Sequence, residues 1–135
     1  MDAGAGGSTS NPDRLYGNDG DDSMGGGFGS FLMVGGAGND SMGFIFGVSR
    51  MWGGDGHDTL AGGRGGSNYM NGGEGNDILR GAPPSGVDTM DGGNGDDMFT
   101  GGGDADHFIC GAGVDTITDF DPEQGDTKTA DCENF

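Results

Sequence analysis

Gly35-Gly36-Ala37-Gly38-Asn39-Asp40-Ser41-Met42 is the stretch that decides the fold: glycine at positions one, two and four, aspartate at six, a large apolar residue at eight. The pattern recurs in full at Gly53–Leu60, Gly72–Leu79 and Gly92–Phe99. Read outward in nines, the chain divides into twelve nonapeptides from Ser8 to Thr118, interrupted only by Gly62, Gly81 and Ala82. Position eight reads Leu15, Met24, Met33, Met42, Met51, Leu60, Met70, Leu79, Met90, Phe99, Phe108 and Ile117. Every one is large and apolar, in a chain only 30% hydrophobic. Position six reads Asp13, Asp22, Phe31, Asp40, Ser49, Asp58, Asn68, Asp77, Asp88, Asp97, Asp106 and Asp115.

Composition excludes several classes. The 135 residues include 35 glycines and carry a formal charge of −18, with 23 acids against 5 Lys plus Arg. A nucleic-acid-binding surface needs clustered cations to neutralise phosphates, so none is expected. No apolar run approaches the roughly 18 residues of a membrane span, and the first residues lack the basic and apolar regions of a Sec-type signal. Without a repeat, so much glycine would describe a disordered chain; with one, it describes turns.

Each nonapeptide translates into structure directly. The first six residues form a turn, because Gly supplies positive φ and Asp or Asn hydrogen-bonds nearby backbone. The remaining x-apolar-x triplet is a minimal strand with one inward side chain. Two repeats make one coil of 18 residues, and stacked coils pair each strand with its counterpart one coil away. The predicted fold is all-β: a right-handed parallel β-roll, a solenoid of two short-stranded parallel sheets about 29 Å long at ~4.8 Å per strand. The organisation expected is a disordered segment 1–7, the roll over 8–118 and a C-terminal cap or tail over 119–135.

Because a coil holds two repeats, position six stacks on two edges. Edge one carries Asp22, Asp40, Asp58, Asp77, Asp97 and Asp115, an unbroken carboxylate ladder. Edge two is acidic only at Asp13 and towards its C-terminal end, at Asp88 and Asp106. Carboxylates about 5 Å apart repel by roughly 1 kcal/mol in water and several times that when partly buried. A continuous ladder therefore calls for cations between its rungs. Ca²⁺ suits the place, since it accepts 6–8 oxygen ligands in loose geometry; Mg²⁺ demands a tighter octahedron. The metal-ligating residues predicted are Asp22, Asp40, Asp58, Asp77, Asp97 and Asp115 on edge one and Asp88 and Asp106 on edge two. About six calcium ions are expected, lowering the formal charge to about −6 and leaving the metal-free chain largely unfolded.

These motifs closely resemble the haemolysin-type (RTX) calcium-binding repeats of secreted bacterial proteins. The stretches Ala105-Asp106-His107-Phe108-Ile109 and Asp115–Asp126 resemble the cap that follows such rolls in serralysin-type secreted proteins. The resemblance implies a calcium-binding module that is exported unfolded by a type I exporter and folds outside the cell, serving secretion and stability of its parent protein. The ending Thr127–Phe135 is short and polar for a complete secretion signal, leaving open a fragment, a truncated reading frame or one module of a larger protein.

Where edge two loses its aspartates, apolar residues take over. Phe28, Phe31, Phe46 and Trp52, with Val34, Phe44 and Ile45, are expected to form an apolar surface that either packs on itself or docks a neighbouring domain or partner. A disulfide between Cys110 and Cys132 is one pairing that an extracellular setting permits; two cysteines do not decide it. No catalytic residues are expected: His57 and His107 read as turn or surface residues, and no zinc helix or nucleophile elbow is present. The alternative function is a carbohydrate-binding β-roll, of the kind found in secreted alginate epimerases, with only Arg14, Arg50, Arg64, Arg80 and Lys128 to meet a polyanionic sugar.

Overall fold

The apolar interior is built on the eighth position of the nonapeptide frame. In a computed structural model of the chain, which describes residues 2–3, 12–83 and 86–134, all twelve position-eight residues are buried. Six of them are methionines, whose unbranched side chains adapt to the narrow interior. Burying each of these residues contributes about 1.5–3 kcal/mol.

The strands are all parallel. They are β1 (Asp2–Ala3), β2 (Asp13–Asp19), β3 (Ser23–Ala37), β4 (Ser41–Asp55), β5 (Thr59–Ala61) and β6 (Tyr69–Glu74). The C-terminal half adds β7 (Ile78–Arg80), β8 (Thr89–Asn94), β9 (Met98–Thr100), β10 (His107–Ala112), β11 (Thr116–Ile117) and β12 (Thr127–Lys128). One face of the solenoid stacks the start of β3 on the start of β4, then β5, β7, β9 and β11. The opposite face stacks β2, the ends of β3 and β4, then β6, β8, β10 and β12. Register is carried by the repeat: Met42 pairs with Leu60, Leu60 with Leu79, Leu79 with Phe99.

Three features depart from the simplest reading. First, strands on the β6–β8–β10 face run six residues rather than three, because pairing continues around the corner through Gly73, Gly93 and Gly111. Second, β3 and β4 span 15 residues each, crossing edge two without a turn. Gly26 pairs with Phe44 and Phe28 with Phe46, so edge two is sheet where its aspartates are missing. The cause lies at position six. Phe31 turns inward and is 2% exposed, packing against Phe44 at 5.7 Å between ring centroids. A Cβ at Gly26 would overlap the Phe31 ring, so the glycine opposite admits it. Phe31 is thus a core residue, not part of the apolar surface expected for it. Phe28 and Phe46 do lie outside, stacked at 5.3 Å, while Trp52 leans half-buried on Tyr69.

Third, the coils do not stop at Thr118. β12 pairs with β10 through His107 and Phe108, and Asn134 bridges to Thr116, so the tail winds a further coil onto the stack. Phe120 closes this end against Phe108, whose ring meets Phe99 edge-on. Cys110 and Cys132, whose pairing the sequence left open, form a disulfide tying that coil to β10. Of the segment 1–7 only Asp2 and Ala3 are described, paired with Gly25 and Gly26; the expected disorder of the remainder lies outside the described residues.

Candidate metal centre

Each rung of edge one makes one hydrogen bond to the next. The amide of Asp22 donates to Oδ1 of Asp40 (2.8 Å), Asp40 to Asp58 (2.7 Å) and Asp58 to Asp77 (2.7 Å). Asp77 donates to Asp97 and Asp97 to Asp115, both at 2.8 Å. One oxygen of each carboxylate is therefore held by backbone one coil away. The other is not. Oδ2 of Asp40, Asp58, Asp77, Asp97 and Asp115 is buried and has no hydrogen-bond partner. A buried acceptor left unpaired costs about 1–3 kcal/mol, more when charged, and here it recurs on five successive rungs.

What surrounds these oxygens is backbone. A Cβ added at Gly53 would fall between Asp58 Oδ2 and the carbonyl oxygen of Gly72. The same cradle recurs at Gly35 with Asp40 and the carbonyl of Gly53, at Gly72 with Asp77 and Gly92, and at Gly92 with Asp97 and Cys110. At these four rungs position one is glycine because a methyl group would fill the space that the carboxylate and carbonyl share; at the Asp115 rung Cys110 takes the position. Among the described residues no three acidic, histidine or cysteine side chains are arranged to hold a metal ion by themselves. A cation here would rest on carboxylate oxygens supplemented by carbonyls, a donor set of hard oxygens that suits Ca²⁺ and not thiolate- or imidazole-seeking metals.

Edge two repeats the geometry in its C-terminal half. Asp88 donates to Asp106 Oδ1 at 2.8 Å, and cradles at Gly81 and Gly101 abut Asp88 and Asp106. Further back the ladder continues in neutral form: Asn68 donates both amides to Asp88 Oδ1, and Ser49 donates to Asn68 Oδ1. Edge two therefore loses its charge before it loses its hydrogen bonds. The structure also adds two rungs that sequence reasoning missed. Asp126 Oδ1 receives the amide of Asp106 at 2.9 Å, and Glu133 Oε2 that of Asp115 at 3.1 Å. Their spacing behind Asp106 and Asp115 matches that of earlier rungs, but Lys128 stands where an apolar eighth residue would mark the repeat. Its ammonium donates to the carbonyl of Cys132.

Electrostatics follow from this burial. Desolvation raises Asp77 and Asp88 to about 6 and Asp97 and Asp106 to about 7, with neighbouring carboxylates adding to the shift at Asp77, Asp97 and Asp106. Backbone hydrogen bonds from the preceding rung oppose it. Asp58 and Asp115 are raised by burial as well. An outer ladder is exposed: Asn39 donates to Asp21, His57 to Asn39, and Asn76 to Nδ1 of His57 (2.8 Å). His57 serves as a turn residue here, and His107 hydrogen-bonds Thr127 on the sheet surface. Asp104, Asp106, Asp119, Asp121 and Asp126 line a cavity of about 10 Å³ at the last edge-two turn, room for one water-sized occupant.

Fold and site together define a parallel β-solenoid with carboxylate-laddered edges built to take hard cations. The RTX calcium-binding nonapeptide repeat matches the chain in four copies, over residues 9–30, 47–67, 52–82 and 85–117, about two thirds of its length. The chain belongs to that family. The matched residues omit 31–46, although Asp40 within that stretch carries the same hydrogen bonds as its neighbours. No curated protein matches the chain.

Proposed function

We propose that this chain is a structural calcium module, folded by ions that sit between successive rungs of both edges. The observation that carries the reading is the row of unpartnered buried oxygens on Asp40, Asp58, Asp77, Asp97 and Asp115. Those of Asp40, Asp58, Asp77 and Asp97 lie beside a backbone carbonyl where position one is glycine; Cys110 stands at that position for Asp115. Asp22, Asp40, Asp58, Asp77, Asp97 and Asp115 hold ions on edge one, and Asp88 and Asp106 on edge two. Asp126 and Glu133 extend the two ladders by one gap each, so six to eight ions fill the stack. Ions that bind only the folded chain drive folding by mass action.

The module serves a protein that leaves the cell by type I export. Micromolar or lower cytosolic calcium leaves it unfolded, and the higher calcium outside folds it. The Cys110–Cys132 disulfide supports that location, because disulfides persist in oxidising compartments. The tail over 119–135 acts as the cap of the roll, and the chain itself performs no catalysis. Calorimetric titration of the chelator-treated chain with Ca²⁺ at pH 7.5 tests the reading. Six to eight ions per chain are expected; two or fewer would refute the filled ladder.

A further inference from the structure

We infer that the N-terminal half of edge two is a docking groove for an extended acidic polypeptide segment carrying apolar side chains. The groove has a volume of about 360 Å³. Ser30 and Val48 line one side, Arg14, Leu32 and Arg50 the other, and buried Phe31 lies beneath. Arg14 and Arg50 both pair with Leu32 across adjacent strands, placing their backbones two strand spacings apart, about 10 Å. Two guanidiniums thus flank an apolar floor.

Charge singles this place out. The chain has only 5 Lys plus Arg against 23 acids, yet Arg14 and Arg50 both line the groove, and Arg64 bridges to Phe46 beside the adjoining aromatic pair. All three are exposed, and none makes an ion pair with a described acid. Guanidiniums would be repelled beside a cation-filled ladder. They are tolerated where Phe31 and Ser49 replace the aspartates, which makes this a stretch of edge that attracts carboxylates without a metal. Asp13, half-buried next to Arg14, is the acid of the same row.

The apolar surface fixes the class of partner. On the same two strands, two residues before Ser30 and Val48, stand the stacked Phe28 and Phe46, 55% and 41% exposed. A single acyl chain in the groove would leave that pair uncovered, whereas a polypeptide segment alternating acidic and apolar residues reaches both. Arginines and aromatics are the residues that anchor such interfaces.

The test uses the full chain in saturating Ca²⁺ and a fluorescein-labelled octapeptide alternating Asp or Glu with Leu or Phe, read by anisotropy. The account expects binding that weakens with salt, falls about tenfold in R14Q/R50Q, and is lost when the peptide's acids become lysines. The single variants R14Q and R50Q stand in if the double variant loses its β signal. Binding unchanged by the arginine substitutions, or as tight for the lysine peptide, overturns the proposal. So does sodium dodecanoate binding more tightly than the peptide with the same arginine dependence, which would make the groove an amphiphile site.

Discussion

The amide of Asp58 donates to Oδ1 of Asp77 at 2.7 Å, while Oδ2 of Asp77 is buried without a partner. One carboxylate is therefore both a structural acceptor for the coil before it and an unsatisfied charge facing a carbonyl. Repeated along edge one, this makes the metal-free roll costly at neutral pH and the cation-filled roll favourable.

Acid should replace calcium in part. Asp77, Asp88, Asp97 and Asp106 have folded pKa values of about 6 to 7, above the ordinary carboxylate value. A group that binds its proton more tightly in the folded state stabilises the fold when protonated. That contribution is complete below about pH 4 and disappears as pH rises through about 7. The chelator-treated chain should therefore gain β structure by circular dichroism on acidification from pH 8 to pH 4.5. Calcium affinity should move the opposite way, weakening below pH 6 as protons compete. Metal-free β content that falls on acidification would contradict this.

Asp77→Asn separates the two roles of the rung. The amide oxygen still accepts from Asp58, and the buried charge is gone, so the metal-free chain should be stabilised by about 1–3 kcal/mol. The calcium-bound chain should lose one or two ions by calorimetry and melt at a lower temperature. A variant that keeps full stoichiometry would remove Asp77 from the ligand set.

Glycine at position one should be irreplaceable where it borders a carboxylate. Gly53→Ala places a methyl group against Asp58 Oδ2 and the Gly72 carbonyl. Gly43→Ala meets only ordinary contacts near 3.5 Å with Ala61. The first should abolish calcium binding at its rung and lower the melting temperature in Ca²⁺, the second should leave both near the parent. Differential scanning fluorimetry with and without Ca²⁺ reads the contrast.

Much of this was legible beforehand, because the repeat encodes both side-chain direction and edge. Position eight predicted twelve of the core residues from Leu15 to Ile117, all but Phe31 and Cys110, and position six predicted the edge-one ladder. The rest escaped for identifiable reasons. A phenylalanine at position six reads as surface until the glycine facing it, Gly26, is seen to make room for its ring. Asp126 was hidden because Lys128 breaks the apolar frame that flags a repeat, and Glu133 because its stretch from Lys128 has no glycine and has glutamate where the motif has aspartate. Partnership of Cys110 and Cys132 depends on the tail winding back beside β10, which no local pattern states.

The disulfide should matter most at that end. Closing a loop between residues 22 apart contributes about 3 kcal/mol in a chain-entropy account. Cys110→Ser/Cys132→Ser, or treatment with a dithiol, should loosen the last coil, which carries Asp126 and Glu133. Calcium titration should then lose the two weakest ions while the rungs from Asp22 to Asp97 still fill. An unchanged ion count would show that the last coil holds without the bridge.

Far-UV circular dichroism of the chain in EGTA at pH 7.5, followed by Ca²⁺ and separately Mg²⁺, tests the central claim most directly. The account predicts a coil spectrum in EGTA that converts to β with Ca²⁺ and not with Mg²⁺. A β spectrum already complete in EGTA would show that the methionine core and the phenylalanine edge hold the roll unaided, contradicting the role given to calcium.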